Sequence, residues 1–247
     1  MEIRFMTKTT LLRGLIATVF TAVLFAVILP AVQYVHRLGM RTTCRSNMMM
    51  IATAWQSYCT DYGSLPPAYT TNKSGKRMHS WRVLLLPYLG CKELYSRYRF
   101  DEPWDSSNNR RLAKFMPQVY HCPAELIAGG ITTSYVAVVG PNAVWRGGRA
   151  LRYTDFNENL GNLLRTVALV EVADSGIEWM EPRDLTFSEA VGGVNRDEVL
   201  GVRSHHVGSA NSCRLDGTVQ ELRNSISIAI LKQLFAVNTD KANLDDP

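Results

Sequence analysis

An uncharged apolar run near the N-terminus constrains this chain more than any other feature. Residues 14–35 read GLIATVFTAVLFAVILPAVQYV and contain no charged side chain. A helix needs about 20 apolar residues to cross a bilayer, so the run is long enough. The apolar core of a cleavable secretory signal is only about 7–15 residues long and ends at a small-x-small site, which is missing here. The run predicts an uncleaved anchor; a cleaved signal and a buried core helix are the alternatives.

The helix is predicted to continue beyond the anchor. Apolar residues recur at steps of three or four, which is the spacing of one face of an α-helix. A stop follows at Gly63 and Pro66-Pro67, so one helix is expected from about residue 10 to 60, with a kink at Pro30. Its apolar stripe consists of Met40, Cys44, Met48, Ile51, Trp55 and Tyr58.

The excess positive charge is confined to the region around the anchor. The chain has a formal net charge of +5. Residues 1–45 hold six Lys or Arg and one acid, while the remainder holds 21 basic and 21 acidic residues and is neutral. This distribution suits anionic lipid headgroups and argues against a nucleic-acid-binding domain, which needs a basic face. Membrane lipid is therefore an expected partner, and nucleic acid is not.

The rest of the chain is predicted to form one α+β domain. Strands are indicated at 133–139 and 166–172, and a hairpin at 209–222, where Asp216-Gly217 is a typical turn pair. Short helices are expected at 92–98, 108–115, 182–190 and 226–237. The predicted organisation is a cytoplasmic segment 1–13, a transmembrane helix 14–35, its continuation 36–60, a globular domain 61–237 and a polar tail 238–247.

Several sequence blocks resemble a family of bacterial prepilin-like proteins, domain of unknown function 1559. The N-terminal part of the resemblance lies in PAVQ (30–33), Cys44, Asn47, Ile51, Tyr58, Tyr62-Gly63 and Pro66-Pro67. It continues in SWRVLLLPYL (80–89), RFDEPWDSSNN (99–109), MPQVYHCP (116–123), TSYVAVVGP (133–141) and VEVADSGIEWMEPRDLTFSEA (170–190). The family's C-terminal signature, His followed by nine residues and Asp-Gly, is matched by His206, Asp216 and Gly217.

The resemblance implies a type IV pilin or pseudopilin-like α+β fold. Its long N-terminal helix would lie half in the inner membrane and pack on an extracytoplasmic antiparallel sheet domain. The implied role is structural or interaction-based, with other envelope, pilus-like or type II secretion-like proteins as partners. No constellation of residues indicates an enzyme, and no cofactor is expected; an extracytoplasmic module that binds a small solute or carbohydrate is the alternative.

The chain departs from this family at its processing site. Family members carry a Gly, after which a peptidase cleaves, and a Glu that assists assembly. Counting back from PAVQ, these positions hold Lys8 and Arg13, although Thr10-Leu11 still match. We therefore expect a chain that is not processed into a filament subunit.

Few side chains form a recognisable chemical site. His205 and His206 together with Asp216 are candidate metal ligands, although Asp216-Gly217 is more simply a turn pair. A second candidate is the acidic cluster Asp101, Glu102 and Asp105, because oxygen ligands suit Ca²⁺. The five scattered cysteines contain no C-x-x-C pair, so a zinc ribbon is not indicated, and His121-Cys122 favours structural or disulfide use.

Aromatic residues mark two candidate surfaces. Trp179 and Met180, with Arg183, are candidate anchors for a protein partner, and Asp184 is a candidate cap for the next helix. For the solute-binding alternative, the candidate stacking surfaces are Trp104, Trp145 and Trp179.

Overall fold

One long helix dominates the N-terminal quarter of the chain. The structure, a computed structural model, describes residues 8–125, 130–152, 154, 160–196 and 200–237. Helix α1 runs over Lys8–Tyr62, with Pro30 inside it. It ends where Gly63 takes a positive φ and donates its N–H to the Cys59 carbonyl. The predicted helix and its stop are confirmed, whereas the segment 1–7 and the tail 238–247 lie outside the described residues.

The chain divides into two compact units, residues 1–40 and 41–247. In the first unit, apolar side chains from Leu12 to Leu38 are exposed around the helix. Among the described residues, α1 is the one helix long and apolar enough to cross a membrane, and its most apolar window has no buried residue. A helix that is apolar on all sides and has no protein covering suits lipid.

The second unit, hereafter the globular unit, contains a five-stranded mixed sheet in the order β5-β3-β4-β6-β7. The strands are β3 (Tyr135–Val139), β4 (Val167–Glu171), β5 (Leu185–Thr186), β6 (Ser209–Arg214) and β7 (Val219–Arg223), after a separate hairpin of β1 (Tyr69–Thr71) and β2 (Arg77–Ser80). An antiparallel sheet was expected, but β5 pairs in parallel with β3. The parallel edge arises because the chain leaving β4 crosses β3 before forming β5.

Short helices connect and cover the sheet. They are α2 (Trp81–Leu84), α3 (Lys92–Arg97), α4 (Ser107–Arg110), α5 (Leu160–Arg165), α6 (Phe187–Ala190) and α7 (Ile228–Phe235). Single 3₁₀ turns lie at Leu86–Leu89, Ala113–Phe115 and Gln118–Tyr120. The helix expected at 182–190 is therefore shorter, because its first half forms β5.

Two hydrophobic cores lie on opposite faces of the sheet. The first contains the stripe of α1, in which Cys44, Met48, Ile51 and Trp55 are all fully buried. The second contains Leu231 and Phe235 of α7. Along β3, Tyr135 and Ala137 belong to the first core, while Val136 and Val138 belong to the second. This alternation is the period-two pattern of a strand covered on both faces, so the globular unit has three layers.

The predicted hairpin turn is confirmed. β6 and β7 pair in antiparallel register from Ser209↔Arg223 to Cys213↔Val219. Between them Gly217 has φ 89°, and the Asp216 carboxylate accepts the Thr218 N–H at 2.8 Å. The positive φ favours glycine at this position, whereas the space beside α1 would admit a Cβ, which would lie 3.4 Å from Ala52.

Candidate functional site

Four buried side chains from distant parts of the sequence meet beneath α1. They are Cys44, Cys122, Glu171 and His206, and one ligand atom from each lies within 4.8 Å of all the others. Their exposed fractions are 0, 1, 1 and 7 %. Among the described residues this is the one group of three or more His, Cys, Asp or Glu side chains close enough to hold a metal ion.

The fold explains why polar groups meet in an otherwise apolar layer. Tyr135 and Glu171 are directly paired across β3 and β4, and Asn211 lies on β6, the next strand. Because cross-strand partners project to the same face of a sheet, these side chains form a polar row below α1. Cys44 faces the row from the apolar stripe of the helix.

Neighbouring donors orient the cluster. The Cys44 sulfur accepts hydrogen bonds from the Tyr135 hydroxyl at 3.1 Å and from Asn211 Nδ2 at 3.3 Å. Asn211 also donates its backbone N–H and its Nδ2 to Glu171 Oε2, both at 3.0 Å. Glu171 Oε1 is buried and has no hydrogen-bond partner. One oxygen of the carboxylate is therefore held in place while the other remains unsatisfied.

His206 is the fourth member of the cluster. Its Nε2 lies 3.5 Å from the Cys122 sulfur and 3.7 Å from Glu171 Oε1. The imidazole, two sulfurs and one carboxylate oxygen thus surround a common centre.

The electrostatics of the cluster shift the pKa values of its two thiols in opposite directions and raise the pKa of its histidine. A hydrogen bond with Cys122 lowers the pKa of Cys44 against the opposing effect of burial. The same hydrogen bond, together with burial, raises the pKa of Cys122. Burial lowers the pKa of His206, but the hydrogen bond to Cys44 and the charge of Glu171 outweigh it and raise the pKa. Cys44 is therefore the sulfur most easily deprotonated.

The four side chains are better suited to binding a metal ion than to nucleophilic catalysis. All five cysteines are free thiols in the structure, and the Cys44 and Cys122 sulfurs lie within 4.8 Å of each other. Attack of Cys44 on a substrate is disfavoured, because the side chain is fully buried and a reactive thiol needs access. Two sulfurs, an imidazole and a carboxylate are ligands that suit Zn²⁺.

The histidines and the aspartate of the predicted motif separate in space. His206 enters the cluster, but His205 Nε2 lies 3.5 Å from Asp174 in an exposed pair. Asp216 serves the β6–β7 turn through its bond to Thr218 and is absent from the cluster. His206 and Asp216 are therefore not ligands of a common metal, because the length of β6 separates them.

The acidic candidates do not converge either. Asp101, Glu102 and Asp105 form no group of metal-ligating atoms among the described residues. The Glu102 carboxylate accepts two bonds from Asn108, at 2.8 and 2.9 Å, and one from Arg99 at 2.9 Å. Its charge is therefore used to organise the loop.

The predicted partner anchors are incorrect for two of three residues. Trp179 and Met180 are fully buried in the first core, and the Trp179 indole donates to the Ala113 carbonyl at 2.9 Å. Only Arg183 is exposed, where it pairs with Glu181 at 2.7 Å. Trp179 and Met180 therefore contribute to packing of the first core and not to an exposed surface.

Most of the aromatic residues that were candidates for stacking on a sugar are also buried. Trp145 and Trp179 are buried at 1 and 0 % exposure. Trp104 is partly buried, with the Arg110 guanidinium 5.8 Å from its ring. Two of the three candidate indoles thus have no face available for stacking.

The cap predicted for Asp184 is also incorrect. Helix α6 is capped by Thr186, which forms a reciprocal capping box with Glu189. The Asp184 carboxylate points inward and pairs with Arg82 at 2.5 Å, with side-chain exposures of 1 and 0 %. Asp184 therefore pairs with the buried guanidinium of Arg82 inside the core instead of capping a helix.

The fold and the apolar helix fit a membrane-anchored, prepilin-like class of protein with an α+β unit. The family model described as protein of unknown function (DUF1559) matches residues 40–164, and the chain belongs to this family. Cys44 and Cys122 lie within the matched residues, whereas Glu171 and His206 follow them. Searches of curated proteins and of solved structures found no match.

Sequence reasoning missed Cys44 and Glu171 as members of a site and gave Cys122 a different use. One signal was present: Glu171 places a charge in the otherwise apolar strand VALVE. A charged residue inside a strand that is buried on both faces needs a partner. Spacing along the chain does not identify that partner.

Proposed function

We propose that this protein is a permanently anchored, prepilin-like component of the cell envelope with a structural or protein-interaction role. The observation that carries the proposal is that α1 is apolar and exposed in one part and packed into a hydrophobic core in another. Its apolar side chains are exposed from Leu12 to Leu38, while Cys44 to Trp55 provide one wall of the first core. One helix therefore combines a lipid-compatible segment with a segment that belongs to a folded domain.

The processing site supports a tether rather than a filament subunit. Lys8 stands where the family has the glycine at which the leader is removed, and Arg13 stands where it has a glutamate. A long cationic side chain is a poor replacement for a residue without a side chain. Arg13 also reverses the charge that would attract a neighbouring subunit's amine.

Intact-mass measurement of the full chain, extracted from membranes in detergent, tests this proposal. We expect a mass that includes residues 1–8. The variant Lys8→Gly should yield a shortened chain beginning at Thr9 when a prepilin peptidase is coexpressed, and Lys8→Ala, the matched control, should yield less. A wild-type chain that begins at Thr9 would refute the tether.

We propose the inner membrane as the location, with the N-terminus cytoplasmic and the globular unit outside the cytoplasm. The resemblance to prepilin-like proteins, whose sheet domain lies outside the cytoplasm, supports this orientation. Protease added to spheroplasts should digest the globular unit while intact cells protect it. Full protection in spheroplasts, with digestion only after lysis, would place the unit in the cytoplasm instead.

Other envelope proteins are the proposed partners. A solute-binding role is less well supported, because two of the three candidate stacking residues are buried. Reproducible thermal stabilisation of the full chain by one class of sugar would reverse this preference.

A further inference from the structure

We propose that Cys44, Cys122, Glu171 and His206 form a structural zinc site that fixes α1 to the sheet. This inference is independent of the proposed anchoring role, because it concerns only residues inside the globular unit. Its basis is the convergence of four ligand atoms within 4.8 Å of one another.

The ligand set selects the metal class. Zn²⁺ in proteins is bound by thiolate, imidazole and carboxylate groups in tetrahedral geometry. Ca²⁺ prefers six or more oxygen ligands, and the cluster supplies one carboxylate. Four protein ligands close the coordination shell, which is typical of structural rather than catalytic zinc.

The distances fit a tetrahedron. With metal–ligand bonds of about 2.0 Å for nitrogen or oxygen and about 2.3 Å for sulfur, its edges are about 3.3 and 3.8 Å long. The separation of His206 Nε2 is 3.5 Å from the Cys122 sulfur and 3.7 Å from Glu171 Oε1. The longest separation is at most 4.8 Å, so that edge would contract by up to about 1 Å when the ion binds.

The unsatisfied carboxylate oxygen distinguishes a metal from the alternatives. Glu171 Oε1 is buried without a hydrogen-bond partner, and its distance of 3.7 Å to His206 Nε2 is too long for a hydrogen bond. A Cys44–Cys122 disulfide would leave this oxygen as it is. A divalent cation would satisfy it and balance the thiolate charge, since buried charges are normally paired or coordinate metals.

Groups around the ligands support the same role. Tyr135 and Asn211 donate to the Cys44 sulfur, and Asn211 also fixes the second oxygen of Glu171. Such outer hydrogen bonds orient metal ligands and tune their basicity. Asn211 therefore acts as a positioning residue for two ligands at once.

The site would join four separate segments of the chain. Cys44 lies on α1, Cys122 in the loop after the 3₁₀ turn Gln118–Tyr120, Glu171 at the end of β4, and His206 before β6. Zinc would thus fix α1 to the sheet at Cys44, near the point where the helix enters the globular unit. Metal binding of this kind contributes directly to folding free energy.

Metal analysis of the full chain in detergent tests the proposal. We expect about one zinc per chain after expression with zinc. Expression with Co²⁺ in place of zinc should give thiolate-to-cobalt charge-transfer absorption and the visible bands of a tetrahedral site. Chelator should lower the unfolding temperature of the wild type.

Variants assign the ligands. Cys44→Ser should weaken zinc binding more than about 100-fold, and Asn211→Ala about 10–100-fold, as expected of a supporting residue. Glu171→Gln preserves the side-chain shape and keeps the test valid where a cysteine variant fails to fold. Cys91→Ser removes a thiol outside the cluster and should bind zinc as the wild type does.

Two results would overturn the proposal. One is a reduced, folded wild-type chain that contains neither zinc nor cobalt after expression with each ion. The other is peptide mapping that finds a Cys44–Cys122 disulfide in protein isolated without reductant, because a disulfide removes both thiolate ligands.

Discussion

Asp184→Ala is expected to cost about 3–5 kcal/mol of unfolding free energy, the usual effect of removing one partner from a buried ion pair. The Arg82 and Asp184 side chains are 0 and 1 % exposed. Asp184 Oδ1 also accepts the Trp81 indole N–H at 3.1 Å and the Ala137 backbone N–H at 2.8 Å. The substitution therefore leaves a guanidinium and two other donors without their acceptor.

The unfolding free energy is measured by urea denaturation of the full chain in detergent, followed by tryptophan fluorescence. Asp184→Asn keeps one acceptor oxygen and should lose less, which keeps the comparison informative if the alanine variant does not fold. Arg99→Ala is the matched control, because its pair with Glu102 is half exposed, and it should change stability by less than about 1 kcal/mol. An equal loss in Asp184→Ala and Arg99→Ala would mean that the buried pair has no special importance.

Trp55→Ala is expected to lose about 3–5 kcal/mol, as large-to-small substitutions in a packed core do. Trp55 is fully buried and lies edge-on to Trp145, with ring centroids 6.3 Å apart. Its indole donates to the Leu215 carbonyl at 3.2 Å, beside the β6–β7 turn. The loss would detach α1 from both the aromatic core and the hairpin.

Variants on the same helix separate packing from hydrogen bonding. Trp55→Phe keeps the aromatic packing but removes the bond to Leu215, so its loss should be intermediate, measured by the same urea denaturation. Met49→Ala, at a position 48 % exposed, should stay within about 0.5 kcal/mol of the wild type. A Trp55→Ala loss no larger than that of Met49→Ala would contradict the packing of the stripe against the sheet.

The local features of the fold were predictable because their signals are local. The stripe from Cys44 to Trp55 repeats with the helical period, and Gly63 with the prolines marks the stop. Asp216-Gly217 predicted the hairpin, since few other pairs adopt such a turn readily. The β1–β2 hairpin was not anticipated, and β5 was assigned to a helix, because strands of two to four residues carry too little periodic signal.

The sequence by itself thus determined the apolar anchor, the amphipathic continuation of its helix, the main strands and the turn. The tertiary structure decided which polar residues share an environment. Asp184 became the partner of Arg82, Trp179 became part of the core, and His206 joined Cys44, Cys122 and Glu171. The physical reason is that side-chain periodicity assigns a residue to a face within its own element, whereas a site is formed by pairing among elements far apart in the chain.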